Sequence, residues 1–193
     1  MNSLATALED LLPVIDRLGI PFLVGGSIAS GTHGLPRQTN DIDILADLPP
    51  GRVAEFCAAL APAFYIDIEA VEPAIRTGRP FNAIHLRGAY KFDIFPAGED
   101  RFAQSELTRC RYTTTTITGL ENIEFPVASP EDTILAKLAW FRKGGEVSDR
   151  QWHDILGVIG VQGDRLDWKY LQDWAAELGV ADLLATALAA RRG

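Results

Sequence analysis

Three short stretches hold residues whose types and spacing could do chemistry: Gly25-Gly26-Ser27, Asp41-Ile42-Asp43 and Lys91-Phe92-Asp93-Ile94-Phe95. In the second, acid and aliphatic alternate with the period of a strand. Both carboxylates then lie on one face, while Ile42 and Ile44 face the core. Two carboxylates so close repel each other unless a cation or a basic group lies between them. Magnesium takes carboxylate oxygens and keeps positions open for water and phosphate oxygens. A solvated strand edge is the other reading of the same pair. Asp93 stands among large apolar residues, in a segment expected to be mostly buried, and a buried carboxylate needs a partner. That partner is either a metal, with Asp93 as third ligand, or a nearby arginine. Gly25-Gly26-Ser27 turns the chain after an apolar run, Phe22–Val24, and Ser27 can open a helix reaching His33. Backbone N–H groups at such a helix start bind phosphate oxygens, and glycine lets them approach closely. The same turn also closes many strand–helix units that bind nothing.

The elements that must position these residues can be read from periodicity. Ser3 to Leu18 carries a helical apolar stripe, with Pro13 expected to kink or restart the helix and Gly19 and Pro21 ending it. Asp41 to Leu45 reads as a strand, and Pro50 opens a helix with Val53, Phe56, Cys57 and Leu60 on one face. Tyr65 to Ile68 and Arg111 to Thr118 read as strands. Phe81 to Leu86 and Tyr90 to Phe95 read as a hairpin about Arg87-Gly88-Ala89. The composition changes after Pro126. Ser129-Pro130-Glu131-Asp132 opens a helix broken by Gly144-Gly145. Ser148 caps a second, and two more are expected over about 167–178 and 181–190. The expected fold class is α/β (α+β): a mixed-sheet core over residues 1–126 and a helical C-terminal region over 127–193.

Composition sets limits. The chain has 193 residues, 47% hydrophobic and 23% charged, enough for a packed core. Cys57 and Cys110 are too few for a disulfide framework and read as reduced thiols. The N-terminus has no secretory pattern and no apolar run is long enough to span a membrane, so a cytoplasmic protein without membrane contact is expected. The net charge of −8 argues against nonspecific duplex binding. Between Arg76 and Arg111, however, seven Lys or Arg stand against four acids. A locally basic rim beside an acidic centre suits an anionic substrate such as a nucleoside triphosphate; a solvated surface is the plainer reading. His85 and His153 are too scattered for zinc, and Trp152, Trp168 and Trp174 read as core.

The order Gly-Gly-Ser at a helix start, Asp-X-Asp on the next strand and one Asp on a later strand resembles the polymerase-β-type nucleotidyltransferase superfamily. The stretch from His33 to Asn40, with Arg37 and Thr39 before the acids, is similar to small bacterial, toxin-like and AbiEii-like members. The resemblance implies a nucleotidyltransferase core and an enzyme that moves a nucleoside monophosphate from an NTP such as ATP to a hydroxyl acceptor by two-metal phosphoryl transfer. It implies that Asp41, Asp43 and Asp93 are catalytic and hold two Mg²⁺ ions, with Mn²⁺ as an alternative. It implies that Gly25, Gly26 and Ser27 take the triphosphate. Arg37 could neutralise phosphate charge. Lys137, at the edge of its helix's apolar stripe, either snorkels to solvent or binds nucleotide phosphate. Arg150 is a weaker candidate, and His33 reads as a structural helix-end residue. The acceptor stays open between an RNA 3′ end such as that of tRNA, a protein hydroxyl and a small molecule. An antitoxin partner would accompany a toxin-like role. A catalytically idle nucleotide-binding or scaffold protein of the same fold is the alternative.

Overall fold

The computed structural model describes residues 4–39 and 41–191; Ser3 and Asn40, which belonged to stretches read above, lie outside them. In chain order the strands are β1 (Phe22–Val24), β2 (Asp41–Ala46), β3 (Phe64–Tyr65), β4 (Phe81–His85), β5 (Lys91–Pro96), β6 (Arg111–Thr113) and β7 (Phe125–Val127). The helices are α1 (Leu4–Arg17), α2 (Gly26–His33), α3 (Val53–Leu60), α4 (Ile68–Thr77), α5 (Arg101–Arg109), α6 (Pro130–Lys143), α7 (Asp149–Gln162), α8 (Trp168–Glu177) and α9 (Ala181–Arg191). Among the described residues the strands form one mixed sheet in the order β3-β4-β5-β2-β1-β7-β6. β2 pairs with β5, and β1 with β7, in parallel; the other neighbours are antiparallel.

The two sides of the central strands have different jobs. Ile42, Ile44, Phe92 and Ile94 are buried in a cluster with the apolar stripes of α1 and α3 and with Val71 and Ala74 of α4. Phe92 meets Phe64 edge to face, with ring centroids 5.4 Å apart. By the two-residue alternation of strands, Asp41, Asp43, Leu45, Lys91, Asp93 and Phe95 occupy the opposite side. That side is covered in part by α6, whose Trp140 meets Phe95 at 5.6 Å. A second cluster joins Phe102 of α5 to the apolar stripes of α6, α7, α8 and α9. Trp152, Trp168 and Trp174 pack against it, as their types suggested.

Several sequence expectations need correction. Pro13 does not interrupt α1, which runs through it. Pro13 and Glu9, the residue whose carbonyl it cannot serve, are both exposed, so water can replace the missing bond. Tyr65 to Ile68 is not one strand: β3 ends at Tyr65, and Ile68 begins α4, capped by the Asp67 side chain accepting from the Glu69 N–H. The β-branched run after Arg111 is a strand only to Thr113. Beyond it, Thr115 Oγ1 accepts from the Ile117 N–H and bonds Thr32 Oγ1 at 2.9 Å, so side chains replace a strand ladder. α5 was not anticipated. Its buried stripe includes Glu106, an acid where periodicity looks for an apolar residue. The helix starts at α6 and α7 are as read: Ser129 accepts from the Asp132 N–H and Ser148 from the Gln151 N–H.

Phe92 is fully buried and lies one residue before Asp93. Phe92→Ala should lower unfolding stability by about 3–5 kcal/mol, read as a shift of the urea midpoint.

Candidate active site

The parallel pairing of β2 and β5 sets the acids side by side: Asp43 is opposite Asp93, and Asp41 is opposite Lys91. All four therefore share one sheet face. Lys91 Nζ lies 2.8 Å from Asp93 Oδ2 and 4.0 Å from Asp41 Oδ1. The basic partner of Asp93 is thus this lysine, two residues away on the same face, and not an arginine. Among the described residues, no three His, Cys, Asp or Glu side chains converge closely enough to hold a metal ion in the arrangement seen.

Asp43 is half-buried. Burial first, and then the charge of Asp93, raise its carboxyl above the ordinary range; Asp41 adds to this, while Lys137 and the Ser27 N–H pull it down. The site therefore carries excess negative charge that is only partly met by protein cations. Its donor set is carboxylate oxygen, which suits a hard divalent ion such as Mg²⁺. On charge and chemistry Asp41, Asp43 and Asp93 fit such an ion.

The glycine turn is built onto the acids. The Gly25 N–H donates to the Asp43 carbonyl oxygen at 2.9 Å. Gly26 has φ +54°, and a Cβ placed there would stand 1.7 Å from Asp43 Oδ2, so any side chain would collide with the carboxylate. One of the helix-start N–H groups read as free for phosphate, that of Ser27, instead serves Asp43. Ser27 Oγ accepts a hydrogen bond from Arg37 Nη2.

The cations read from sequence come together through a residue that was missed. Lys137 Nζ of α6 lies 2.8 Å from Asp154 Oδ2, and Arg37 Nε lies 3.1 Å from Asp154 Oδ1. Lys137 is buried and does not snorkel to solvent. Burial alone would raise the Asp154 carboxyl, but hydrogen bonds from Arg37 and Lys137 outweigh it and hold it below the ordinary range. Asp154 lies in the amphipathic stretch after Ser148, three residues before Gly157, and only its tertiary partners set it apart. α2 reaches this region because Gly34 lets its end approach the α7 backbone; a Cβ on Gly34 would be 2.7 Å from the Val158 nitrogen. His33 has the structural role expected: its Nε2 donates to the Ala128 carbonyl at 2.7 Å, and burial lowers its affinity for a second proton.

Gly25, Gly26, Ser27, Arg37, Asp43 and Lys137 line one cavity of about 500 Å³ between the sheet and α6, within the range of small-molecule sites. Arg150 lines it as well. Of the three aspartates, Asp43 lines this cavity; Asp41 and Asp93 stand beside it in the sheet.

No protein-family model matches the sequence, and no curated protein matches it. Solved structures do. ANT(2″)-Ia in complex with adenylyl-2″-tobramycin is 16% identical, with 90% of this chain and 95% of that chain covered and a TM-score of 0.56. The lincosamide antibiotic adenylyltransferase LnuA, lincomycin-bound, is 14% identical, covering 83% and 99%, at 0.53. An antigenic nucleotidyltransferase-like protein from Paracoccidioides brasiliensis is 18% identical, covering 97% and 92%, at 0.53. The fold is a nucleotidyltransferase fold. No helix among the described residues is long and apolar enough to cross a membrane.

Two outcomes follow from the electrostatics. Because the folded-state carboxyl of Asp43 is raised, the folded state binds more protons than the unfolded state in the window above the ordinary carboxylate range. Stability is therefore lost as pH rises through that window. Asp43→Asn should raise the metal-free melting temperature at neutral pH, with the gain disappearing in acid; Mg²⁺ should raise the melting temperature of the wild type and not of this variant. Asp154→Ala leaves two enclosed cations without their shared partner and should cost about 3 kcal/mol in urea unfolding. Its effect should be larger than that of Arg37→Ala, because Arg37 is the more exposed of the two cations.

Proposed function

We propose that this protein is a Mg²⁺-dependent nucleotidyltransferase that moves a nucleoside monophosphate from an NTP to a hydroxyl acceptor. The observation that carries the reading is the convergence on one cavity of a Gly-Gly-Ser helix start, the cations Arg37 and Lys137, and Asp43 held in register with Asp93. Gly26 would bind the triphosphate through its backbone N–H and Ser27 through its hydroxyl, on the turn that Gly25 shapes, and Arg37 and Lys137 would neutralise its charge. Asp41, Asp43 and Asp93 would hold Mg²⁺. When bound, the metal supplies charge neutralisation at the reacting phosphate and at the attacking and leaving oxygens.

In the reaction, a bond forms between the acceptor oxygen and the α-phosphorus, and the bond from that phosphorus to the β-phosphate bridging oxygen breaks. Pyrophosphate leaves with that bonding pair. The acceptor proton would pass to a carboxylate, and Asp93, in register with Asp43, would take it. The protein's own contribution is positioning and charge complementarity. For the acceptor we favour a small molecule carrying a hydroxyl group. The fold is shared with LnuA and ANT(2″)-Ia, seen with lincomycin and with adenylyl-2″-tobramycin, and the net charge of −8 disfavours a long RNA footprint. The location we propose is the cytoplasm, where NTP and Mg²⁺ are available.

A second reading, an idle nucleotide-binding protein, draws on the Lys91–Asp93 ion pair and on the incomplete convergence of the acids. Incubation with Mg²⁺, α-³²P-labelled NTPs and separate pools of small molecules, RNA and protein separates the two. Label should pass to the small-molecule pool and fall at least a hundredfold in Asp41→Ala and Asp43→Ala, the order lost with an electrostatic catalytic group. Mg²⁺-dependent NTP binding without transfer to any pool would favour the idle protein.

A further inference from the structure

The sheet face that carries the acids extends past β5 to the edge of the sheet. The β4–β5 ladder sets Asn82 opposite Asp93 and Ile84 opposite Lys91, and the β3–β4 ladder sets Tyr65 opposite Ile84. Opposed residues share a face. Two rows therefore run outward: Asp43, Asp93 and Asn82 in one, Asp41, Lys91, Ile84 and Tyr65 in the other. Leu86 follows Ile84 by two residues and takes the same face; its N–H donates to the Ala63 carbonyl at 2.9 Å, just before β3. On the reverse side of β4, Phe81, Ala83 and His85 are buried. The outer side is where a solvated strand carries polar residues, yet Ile84 is 39% exposed, Leu86 59% and Tyr65 62%. The cover given by α6 reaches Phe95 and leaves these three open. Single exposed apolar side chains are ordinary, but a contiguous group beside a candidate site marks a binding surface.

We infer that this face seats the acceptor, and that the acceptor is an alcohol with an apolar ring face and at most one positive charge, not a polycation. The inference rests on the nucleotidyltransferase reading above and names the substrate class of the same site. A hydroxyl presented to Asp93 leaves the rest of the molecule over Asn82, Ile84 and Tyr65. Neighbouring strands stand about 4.8 Å apart, so β3 is roughly 10 Å from β5, within the span of a small molecule. Tyr65 offers an aromatic surface and Ile84 an aliphatic one to a ring. The Asn82 amide can donate to and accept from hydroxyls beside the reacting one.

Charge decides between the acceptor classes. A polycation needs carboxylates of its own. Those in the two rows, Asp41, Asp43 and Asp93, are the ones the metal would take, and Asn82, Ile84, Leu86 and Tyr65 add none. The other charged group in the rows is the cation Lys91, 2.8 Å from Asp93, which repels ammonium groups. Size decides against a second copy of this chain. β3 is an edge strand of two residues, too short to extend a sheet. Three partly exposed side chains supply well under the about 800 Å² per partner of a stable interface. An RNA 3′ end stacking a base on Tyr65 would have to approach a chain of net charge −8.

Two measurements on the full chain test this. In methyl NMR, the Ile84 signal, assigned with Ile84→Val, should shift with millimolar 2-phenylethanol and stay in place with tobramycin. In the labelling reaction with Mg²⁺ and α-³²P-labelled ATP, the small-molecule pool is split into a fraction retained by a reversed-phase resin and one held by a weak cation exchanger at moderate salt. Label should enter the first. Ile84→Asp should lower labelling at low acceptor concentration about tenfold, with recovery at high concentration and Mg²⁺-ATP affinity unchanged by calorimetry. Ile84→Thr, which keeps the β-branch and guards against misfolding, should lower it about threefold. Label in the cation-exchange fraction or in RNA, labelling unchanged in both variants, or no Ile84 shift with 2-phenylethanol would overturn the inference and leave the nucleotidyltransferase reading intact. A dimer in sedimentation that Ile84→Asp dissociates would give the face to a second copy and also overturn it. No label in any pool would overturn the nucleotidyltransferase reading, and this inference with it.

Discussion

Like-charged carboxylates held on adjacent strands are the constraint around which the rest of this structure is arranged. The β2–β5 ladder brings Asp43 and Asp93 to neighbouring positions, where strands are about 4.8 Å apart. Their repulsion amounts to a few kcal/mol at the dielectric of a partly wet site. On the reverse of the same two strands, Ile42, Ile44, Phe92 and Ile94 are all buried. Each contributes about 1.5–3 kcal/mol of burial, so the apolar side outweighs the charged side and the register holds. What remains of the repulsion is eased by Lys91, by the Ser27 N–H and, more distantly, by Lys137.

The positive half of the site is assembled by the opposite device. Arg37, on the segment after α2, and Lys137, on α6, would repel if left alone. Asp154 on α7 draws both to one point. The acid is enclosed, so this tie is less screened than a surface ion pair. It also fastens the chain between α2 and β2 onto the C-terminal helices. A phosphate group arriving between the two cations would meet side chains already gathered and oriented.

Much of the fold was legible because local rules and tertiary demands agree there. The Asp-Ile-Asp alternation, the Phe22–Val24 strand and the Ser129 and Ser148 caps each carry a local signal that packing then uses. Illegible parts have identifiable causes. α5 buries Glu106 in its stripe, so hydrophobic periodicity passes over it. Beyond Thr113, Thr115 bonds Thr32 of α2 and accepts from the Ile117 N–H, which strand propensity does not register. In the site, Gly26, Ser27, Arg37 and Lys137 were recognisable from motif and helix face. Asp154 matters through partners on other elements and is not visible along one stretch of chain, whereas Lys91 stands two residues before Asp93 on the same strand face, a local pattern that the expectation of an arginine partner passed over.

The cavity has one wall from the sheet and the other from α6 and α7. That division has a consequence for synthesis on the ribosome. The glycine turn and all three acids emerge within the first half of the chain, together with most of the sheet. Lys137 and Arg150, which line the far side, emerge only afterwards. A nascent chain folding from its N-terminus therefore displays a charged sheet face with no second wall. The unit that could grip a triphosphate arises late, as α6 and α7 dock, so maturation of the site is timed by the arrival of these two helices.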